Sequence, residues 1–136
     1  MTNAIRYHSV TGNTKKLAEA IGETLGVPAL PLSEPLEGPV DLLFLGSSMY
    51  AFSLAPEVRQ FVKGLDAGNI KRVAVFGTAA MMGTTAPKIK KLLKGKGVAL
   101  DDRVFHCRGA YRASNPGRPN DEDVAAVRQF AEQVAG

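Results

Sequence analysis

Hydroxyl and amide side chains stand together near the start of the chain, in the run Ser9-Val10-Thr11-Gly12-Asn13-Thr14. A helix amino terminus presents unpaired N–H groups and a partial positive charge, which both suit phosphate, and glycine lets the backbone come close to an anion. Lys15 and Lys16 follow in the first turn of a predicted helix, where each cation costs about 0.3–1 kcal/mol unless an anion is bound. The run predicts a phosphate-binding loop. Its composition leaves one alternative open, a helix cap followed by two solvated lysines.

Two further runs are predicted to follow buried strands. The first contains a methionine and two aromatic residues, in Gly46-Ser47-Ser48-Met49-Tyr50-Ala51-Phe52, and the second contains small and flexible residues, in Gly77-Thr78-Ala79-Ala80-Met81-Met82-Gly83. Aromatic side chains beside a phosphate site favour stacking on a flat ring. A loop of small residues brings backbone N–H and C=O groups close to a polar ring edge. Together the three runs indicate a mononucleotide that carries a planar ring.

Strand and helix patterns alternate along the chain, which predicts an α/β fold with a parallel sheet. Apolar runs predict strands at residues 4–8, 29–32, 42–45, 73–76 and 104–107. Amphipathic patterns predict helices at residues 14–25, 56–65 and 85–94, and a last helix after its cap Asn120. The pattern suits a doubly wound, three-layer α/β/α arrangement with five strands in the order 2-1-3-4-5.

Pro31 places the second predicted strand at an edge of the sheet, because proline cannot donate to a central ladder. Only residues 33–40 connect it to the third strand, and they predict an extended loop or a single turn. In such sheets ligands bind beyond the carboxyl ends of the strands, where the strand order reverses. That point lies between the first and third strands. Two of the three runs come directly after these strands.

Composition excludes several classes of protein. The chain has 136 residues, the size of one domain, which we expect to span residues 1–136. Apolar residues make up 45% of the chain and charged residues 22%, a composition that excludes disorder. One cysteine and two histidines exclude a disulfide framework and a structural zinc cluster. No apolar run reaches the roughly 18 residues of a membrane helix. No signal peptide is recognisable, so we expect a cytoplasmic protein. With so few cysteines and histidines, we expect no bound metal.

The run from Ser9 to Thr14 resembles the phosphate loop of the flavodoxin family, with the pattern S/T-x-T-G-N-T. Residues 46–51 are similar to the family's loop on the flavin ring, and residues 77–83 fall where its second ring-contacting loop lies. Residues 117–123 also resemble many small flavodoxin-like proteins. The resemblance covers nearly the whole chain and implies the flavodoxin-like fold, tight noncovalent FMN and electron transfer.

The resemblance also implies roles for individual residues. Phosphate would be held through hydroxyls, an amide and backbone groups of the first loop, namely Ser9, Val10, Thr11, Gly12, Asn13 and Thr14. The ring would lie against the loops after the third and fourth strands, at Ser47, Ser48, Met49, Tyr50, Ala51, Thr78, Ala79, Ala80 and Met81. No catalytic residue is assigned.

Several features depart from the family. The chain is basic, with a net charge of +4, whereas flavodoxins are usually acidic, so the expected redox partner has an acidic surface. The excess of positive charge is small and spread along the sequence, so nucleic acid is not expected. Ala51 stands where a glycine commonly allows a peptide flip on flavin reduction, and its Cβ makes that conformation costlier by roughly 1–2 kcal/mol. No tryptophan is available for stacking, and Arg6 and His8 share one face of the first strand.

Other proteins of similar pattern fit less well. A response-regulator receiver needs a phosphoryl-accepting aspartate after the third strand, where this chain has Gly46-Ser47-Ser48. A low-molecular-weight phosphatase needs C-x5-R, and that spacing from Cys107 reaches Ala113. Cys107 is therefore interpreted as a core residue and the two histidines as structural or exposed.

Two functional classes remain. The first is a non-enzymatic electron carrier that acts with a redox partner protein as a monomer or weak dimer. The alternative is an FMN-dependent NAD(P)H reductase of a quinone or similar small molecule. The lysines of residues 88–96 indicate a solvated helix surface or a docking site, and Tyr111 and Arg112 belong to a long loop that could approach the ligand.

Overall fold

One parallel sheet with helices on both faces organises the chain. The computed structural model describes residues 2–49, 54–79, 85–110 and 115–136, without the side chain of Met49. The elements, in chain order, are β1 (Asn3–Tyr7), α1 (Asn13–Leu25), β2 (Ala29–Pro31), β3 (Val40–Met49), α2 (Pro56–Lys63), β4 (Ile70–Ala79), α3 (Ala86–Leu93), β5 (Ala99–Arg108) and α4 (Asp121–Ala135). The strands lie in the order β2-β1-β3-β4-β5 and every neighbouring pair is parallel. The predicted strand order, with β2 at an edge, is confirmed.

Two hydrophobic cores lie between the sheet and its helices, one on each face of the sheet. α1 and α4 pack on one face, where Phe44 is fully buried, and α2 and α3 pack on the other, where Leu43 is fully buried. Successive side chains of a strand point to opposite faces. This explains why residues 42–45 form a continuous apolar run, and it confirms the three-layer arrangement.

The two central strands are longer than their apolar runs suggest. Residues 46–49 and 77–79, which the sequence places in loops, continue β3 and β4, so that part of the loop prediction is wrong. Their glycines make this close pairing possible. A Cβ on Gly46 would overlap the ring of Phe76, and a Cβ on Gly77 would overlap the backbone of β3. Small residues that resemble a loop signal are required here for packing between strands.

Arg6 holds the short connection between β2 and β3. Its guanidinium is buried and donates hydrogen bonds to the carbonyl oxygens of Glu34 at 2.9 Å, Pro35 at 2.7 Å and Ile5 at 2.8 Å. Burial lowers the pKa of Arg6 from its ordinary value. The connection is a turn followed by extended chain, as predicted for residues 33–40. The unusual arginine of the first strand thus fixes the backbone that crosses the edge of the sheet.

The last helix begins where the sequence predicts. Asn120 Oδ1 accepts a hydrogen bond from the backbone N–H of Asp123 at 3.0 Å, and Asp123 Oδ2 accepts one from the N–H of Asn120 at 2.9 Å. Arg118 donates two further bonds to that carboxylate and holds the pKa of Asp123 below its ordinary value. The other three helices begin and end within two residues of their predicted bounds.

Candidate functional site

Three hydroxyl groups from three elements meet at the carboxyl edge of the sheet. Thr14 Oγ1 lies 2.8 Å from Ser48 Oγ and 3.1 Å from Thr78 Oγ1, and the last two oxygens lie 3.1 Å apart. All three residues are buried, with Thr14 fully so. We call this group the hydroxyl triangle. It joins the start of α1 to the ends of β3 and β4, so it brings together the three runs singled out in the sequence.

The loop between β1 and α1 has an open surface. Gly12 has φ +90°, a left-handed conformation that favours glycine, and a Cβ there would meet no atom within 4 Å. Ser9 Oγ accepts a hydrogen bond from the Gly12 N–H at 3.1 Å, which closes the turn. Thr11 is exposed, and Val10 is the one large apolar side chain in the described part of the chain that is mostly exposed, at 72%. The loop therefore presents its centre to a ligand.

The amino terminus of α1 lacks the groups that usually satisfy it. Gly12 at the N-cap offers no side chain to the free N–H groups, and the first turn contains no acidic residue. α4 on the same face of the sheet has both a capping box and three acids. An anion at α1 would find unpaired donors and a favourable dipole.

Asn13 of the predicted phosphate loop and Lys16 in the first turn of α1 reach across to the segment after β5. Asn13 Nδ2 donates to the carbonyl oxygen of Ala110 at 2.8 Å, and Lys16 Nζ donates to that of Pro119 at 2.6 Å. A Cβ on Gly109 would come within 2.9 Å of Asn13 Nδ2, so glycine is needed for this close approach. The sequence did not reveal these contacts, although the polar side chain of Asn13 at a loop end was the available signal.

The residues predicted to contact a ring divide into two groups. Ser47, Ser48, Thr78 and Ala79 lie at the ends of β3 and β4 with buried side chains, and Ser47 Oγ donates to the Ser48 carbonyl at 3.1 Å. The others lie outside the described residues or have an undescribed side chain, namely Met49, Tyr50, Ala51, Phe52, Ala80, Met81, Met82 and Gly83. Tyr111 and Arg112 also lie outside the described residues.

A cavity lies beside the predicted phosphate loop, on the side of α2. It has a volume of about 500 Å³ and is bordered by His8, Ser9, Leu32, Glu57 and Phe61, among others. His8 Nε2 lies 3.1 Å from Glu57 Oε2, while His8 Nδ1 is buried and has no hydrogen-bond partner among the described residues. No local pattern indicates this pair, because the contact depends on how α2 packs beside the end of β1.

Of the remaining candidate side chains, Cys107 is part of the core and His106 is half-buried. Cys107 is 8% exposed, and burial raises the pKa of its thiol to about 12, with the charge of Asp123 adding to the shift. Burial also lowers the pKa of His106, helped by Arg108. Within the described ranges no three His, Cys, Asp or Glu side chains are grouped as metal ligands. The assignment of Cys107 to the core is confirmed.

The model of the flavodoxin domain family matches residues 4–130 of the sequence. This match spans β1 to most of α4. The chain belongs to the flavodoxin family. A search of the curated proteins found no significant match.

Solved structures share the fold of this flavodoxin. A flavodoxin from the domain Archaea is 21% identical, with a TM-score of 0.80 over 99% of this chain and 96% of its own. An FMN complex of a flavoprotein from Lactobacillus acidophilus is 16% identical, with a TM-score of 0.62 over 79% and 92%. An NAD(P)H:quinone oxidoreductase from Methanothermobacter marburgensis is 12% identical, with a TM-score of 0.68 over 99% and 96%. At these identities the likeness shows the fold.

None of the helices described for this flavodoxin is both long enough and apolar enough to cross a membrane. Its longest helix, α4, has 15 residues and begins with three acids.

Proposed function

We propose that this flavodoxin binds FMN noncovalently and acts as an electron-transfer protein. The hydroxyl triangle carries the proposal, because it draws the start of α1 and the ends of β3 and β4 to one point. Membership in the flavodoxin family supports FMN as the cofactor. The Lactobacillus acidophilus flavoprotein of the same fold, solved with FMN, adds to that support.

The phosphate of FMN would be held by the loop between β1 and α1. The free N–H groups at the start of α1 and the exposed hydroxyl of Thr11 suit a dianion, and Gly12 lets the backbone approach it. Thr14 would contribute its backbone N–H, since its hydroxyl is engaged in the triangle. Asn13 and Lys16 would position the loop through their bonds to the segment after β5.

The flavin ring would lie beyond the ends of β3 and β4. FMN, when bound, supplies reversible one- and two-electron chemistry at this ring. The ends of both strands are held in register up to Met49 and Ala79, so the segments that follow them start from fixed points. Ring contacts at Met49, Tyr50 and Ala51, and at Thr78 to Met81, are part of this proposal and follow from the family resemblance.

A carrier is favoured over a reductase. The polar side chains described at the hydroxyl triangle and in the loop between β1 and α1 are hydroxyls and an amide, which bind or position. The reductase remains the second candidate. It is supported by the cavity beside His8 and Glu57, which could take a small molecule, and by the fold shared with the quinone oxidoreductase.

Cofactor binding is tested by titrating the purified apoprotein with FMN and with riboflavin. We expect one FMN per chain, and at least tenfold weaker binding of riboflavin, which lacks the phosphate. Equal affinities would contradict the assigned phosphate loop. The holoprotein is then mixed with NADH or NADPH, with and without a soluble quinone. Consumption of NADH or NADPH by the holoprotein without an added redox protein would favour the reductase. No such consumption, together with electron exchange with a redox protein, would favour the carrier.

The chain's size and single thiol fit this role. The described strands all belong to one sheet, which supports one domain over residues 1–136. The lone cysteine is buried and suits a reducing cytoplasm. A monomer or weak dimer is expected in solution, and sedimentation velocity measures it.

A further inference from the structure

Positive charge is concentrated in one part of the chain. Residues 67–100 contain seven of the 17 lysines and arginines and none of the 13 aspartates and glutamates. The remaining residues hold ten cations against thirteen acids, a net charge of −3. The overall charge of +4 therefore conceals a strong asymmetry.

The fold places four of these seven cations, together with two from α2, on one side of the molecule. We define the lysine face as the exposed cations of α2, α3 and the residue after α3, namely Arg59, Lys63, Lys88, Lys90, Lys91 and Lys94. Only Glu57 is acidic on these two helices. α1 and α4, across the sheet, expose mainly acids, namely Glu19, Glu23, Asp121, Glu122 and Glu132. The molecule thus has a basic face and an acidic face.

The charge of the lysine face is not neutralised internally. In the described part of the chain, the ion pairs are made by other residues, so none of these six cations has a carboxylate within ion-pair distance. Two nearby lysines behave differently. Lys96 Nζ donates to the carbonyl oxygen of Lys63 at 2.7 Å, and Lys71 pairs with Asp41 at 3.1 Å. Lysines with structural partners are therefore distinct from those of the lysine face.

The lysine face begins beside the cofactor site of the proposed function. β4 ends at Ala79, which lies next to the hydroxyl triangle, and α3 begins at Ala86. Lys88 lies in the first turn of α3 and is therefore close to this edge of the sheet. A partner seated on the lysine face would reach the carboxyl edge where the flavin ring is proposed.

We propose that the lysine face docks a redox protein with an acidic surface, an inference that rests on the proposed function. Five of its six cations are lysines, which act as strongly hydrated point charges and lack the fork geometry of arginine. Such a surface steers an oppositely charged partner and releases it again. Binding of single-stranded nucleic acid commonly adds exposed aromatic side chains, and Phe61, the one aromatic residue of α2 and α3, is half-buried. The face therefore suits a protein partner.

The test measures binding of an acidic plant-type ferredoxin, labelled with a fluorophore, with basic cytochrome c as the probe of opposite charge. We expect salt-dependent binding of the ferredoxin, weaker by at least about tenfold between 10 and 200 mM NaCl because screening shortens the reach of the charges. Cytochrome c should bind much more weakly. Lys88→Glu and Lys91→Glu should each weaken ferredoxin binding by about three- to tenfold at low salt.

Lys71→Glu is the matched control, because it makes the same charge change at an exposed lysine near the start of β4. At 100 mM NaCl, where exposed charges are screened beyond about 10 Å, its effect on ferredoxin binding should stay below about twofold and below the effects of Lys88→Glu and Lys91→Glu. Equal effects of all three variants, or none, would overturn the docking face. Tighter binding of a labelled single-stranded DNA would assign the face to nucleic acid instead. A salt-sensitive dimer lost in Lys91→Glu would assign it to a second copy of this chain.

Flavin content is measured on the same samples from the visible spectrum. If FMN does not bind but the ferredoxin still discriminates between the variants, the proposed function fails and the docking face stands. If FMN binds and the variants bind ferredoxin as the wild type does, the docking face fails alone. In the holoprotein, after its flavin is reduced with dithionite, electron transfer to oxidised ferredoxin should slow in the two variants in the same order as binding.

Discussion

Thr14 Oγ1 and Ser48 Oγ lie 2.8 Å apart although 34 residues separate them in the chain. Thr78 completes the triangle from the next strand. A hydroxyl donates one hydrogen bond and accepts up to two. The three bonds of the triangle can therefore satisfy one donor on each residue without water. The start of α1 is thus attached to the centre of the sheet by polar contacts as well as by its apolar face.

Removing the Thr14 hydroxyl should destabilise the protein before any cofactor is added. Thr14→Ala leaves the buried hydroxyls of Ser48 and Thr78 each short of one partner, which costs about 1–3 kcal/mol. Thr14→Ser keeps the hydroxyl and loses one methyl group, about 0.8 kcal/mol. Denaturant unfolding of the apoproteins measures the difference. Equal free energies of unfolding for the two variants would show that the triangle adds nothing.

The exposed Thr11 should affect the cofactor and not the fold. Thr11→Ala removes a hydroxyl that is free to bond a charged phosphate oxygen, a contact worth about 1.5–3 kcal/mol. We expect FMN affinity to fall about ten- to hundredfold, with riboflavin affinity and apoprotein stability unchanged. Thr11→Ser should restore most of the loss. A similar loss for riboflavin would indicate that Thr11 shapes the loop and does not contact phosphate.

Asp101 should make stability depend on pH. Its carboxylate is buried and accepts hydrogen bonds from the Arg103 side chain at 2.9 and 3.0 Å, and it also pairs with Arg72. Arg103 chiefly lowers the pKa of this carboxyl. A lowered pKa in the folded state gives stability that is present above the unfolded value, about 3.9, and lost as the pH falls through the folded value. Asp101→Asn should therefore cost about 1.5–3 kcal/mol at neutral pH.

The gap in stability between wild type and Asp101→Asn should narrow as the pH falls below about 4. Asp102→Asn is the control, because Asp102 is the exposed neighbour and should leave the pH profile close to that of wild type. Unfolding followed by circular dichroism from pH 2 to 7 measures all three proteins. A gap that stays constant with pH would contradict the role of the charged carboxylate.

Cys107 should be inert to thiol reagents in the folded protein. Burial raises the pKa of its thiol to about 12, so about one molecule in ten thousand would carry the reactive thiolate at pH 8. Reaction with a disulfide reagent such as DTNB should take hours in buffer and seconds in guanidinium chloride. Fast reaction of the native protein would mean that β5 opens locally.

Local patterns in the sequence were enough to predict the order of elements, the edge position of β2 and the loop that opens α1. These features depend on patterns that act over a few residues. Pro31 cannot donate in a central strand, the run from Ser9 to Thr14 combines hydroxyls with a helix start, and Asn120 lies three residues before Asp123 in a capping box. Neighbours along the chain set each of these signals, so no distant contact was needed to interpret them.

The contacts made by the side chains of the candidate site depend on the fold. Asn13 and Thr14 were predicted as phosphate contacts, and the fold directs their side chains to Ala110 and to the hydroxyl triangle. Gly46 resembles a loop residue, and the fold uses it in β3 because the ring of Phe76 occupies the space of a Cβ. Each outcome depends on atoms brought close by the pairing of parallel strands. Local propensity carries no information about such pairs, because their partners lie 30 or more residues apart.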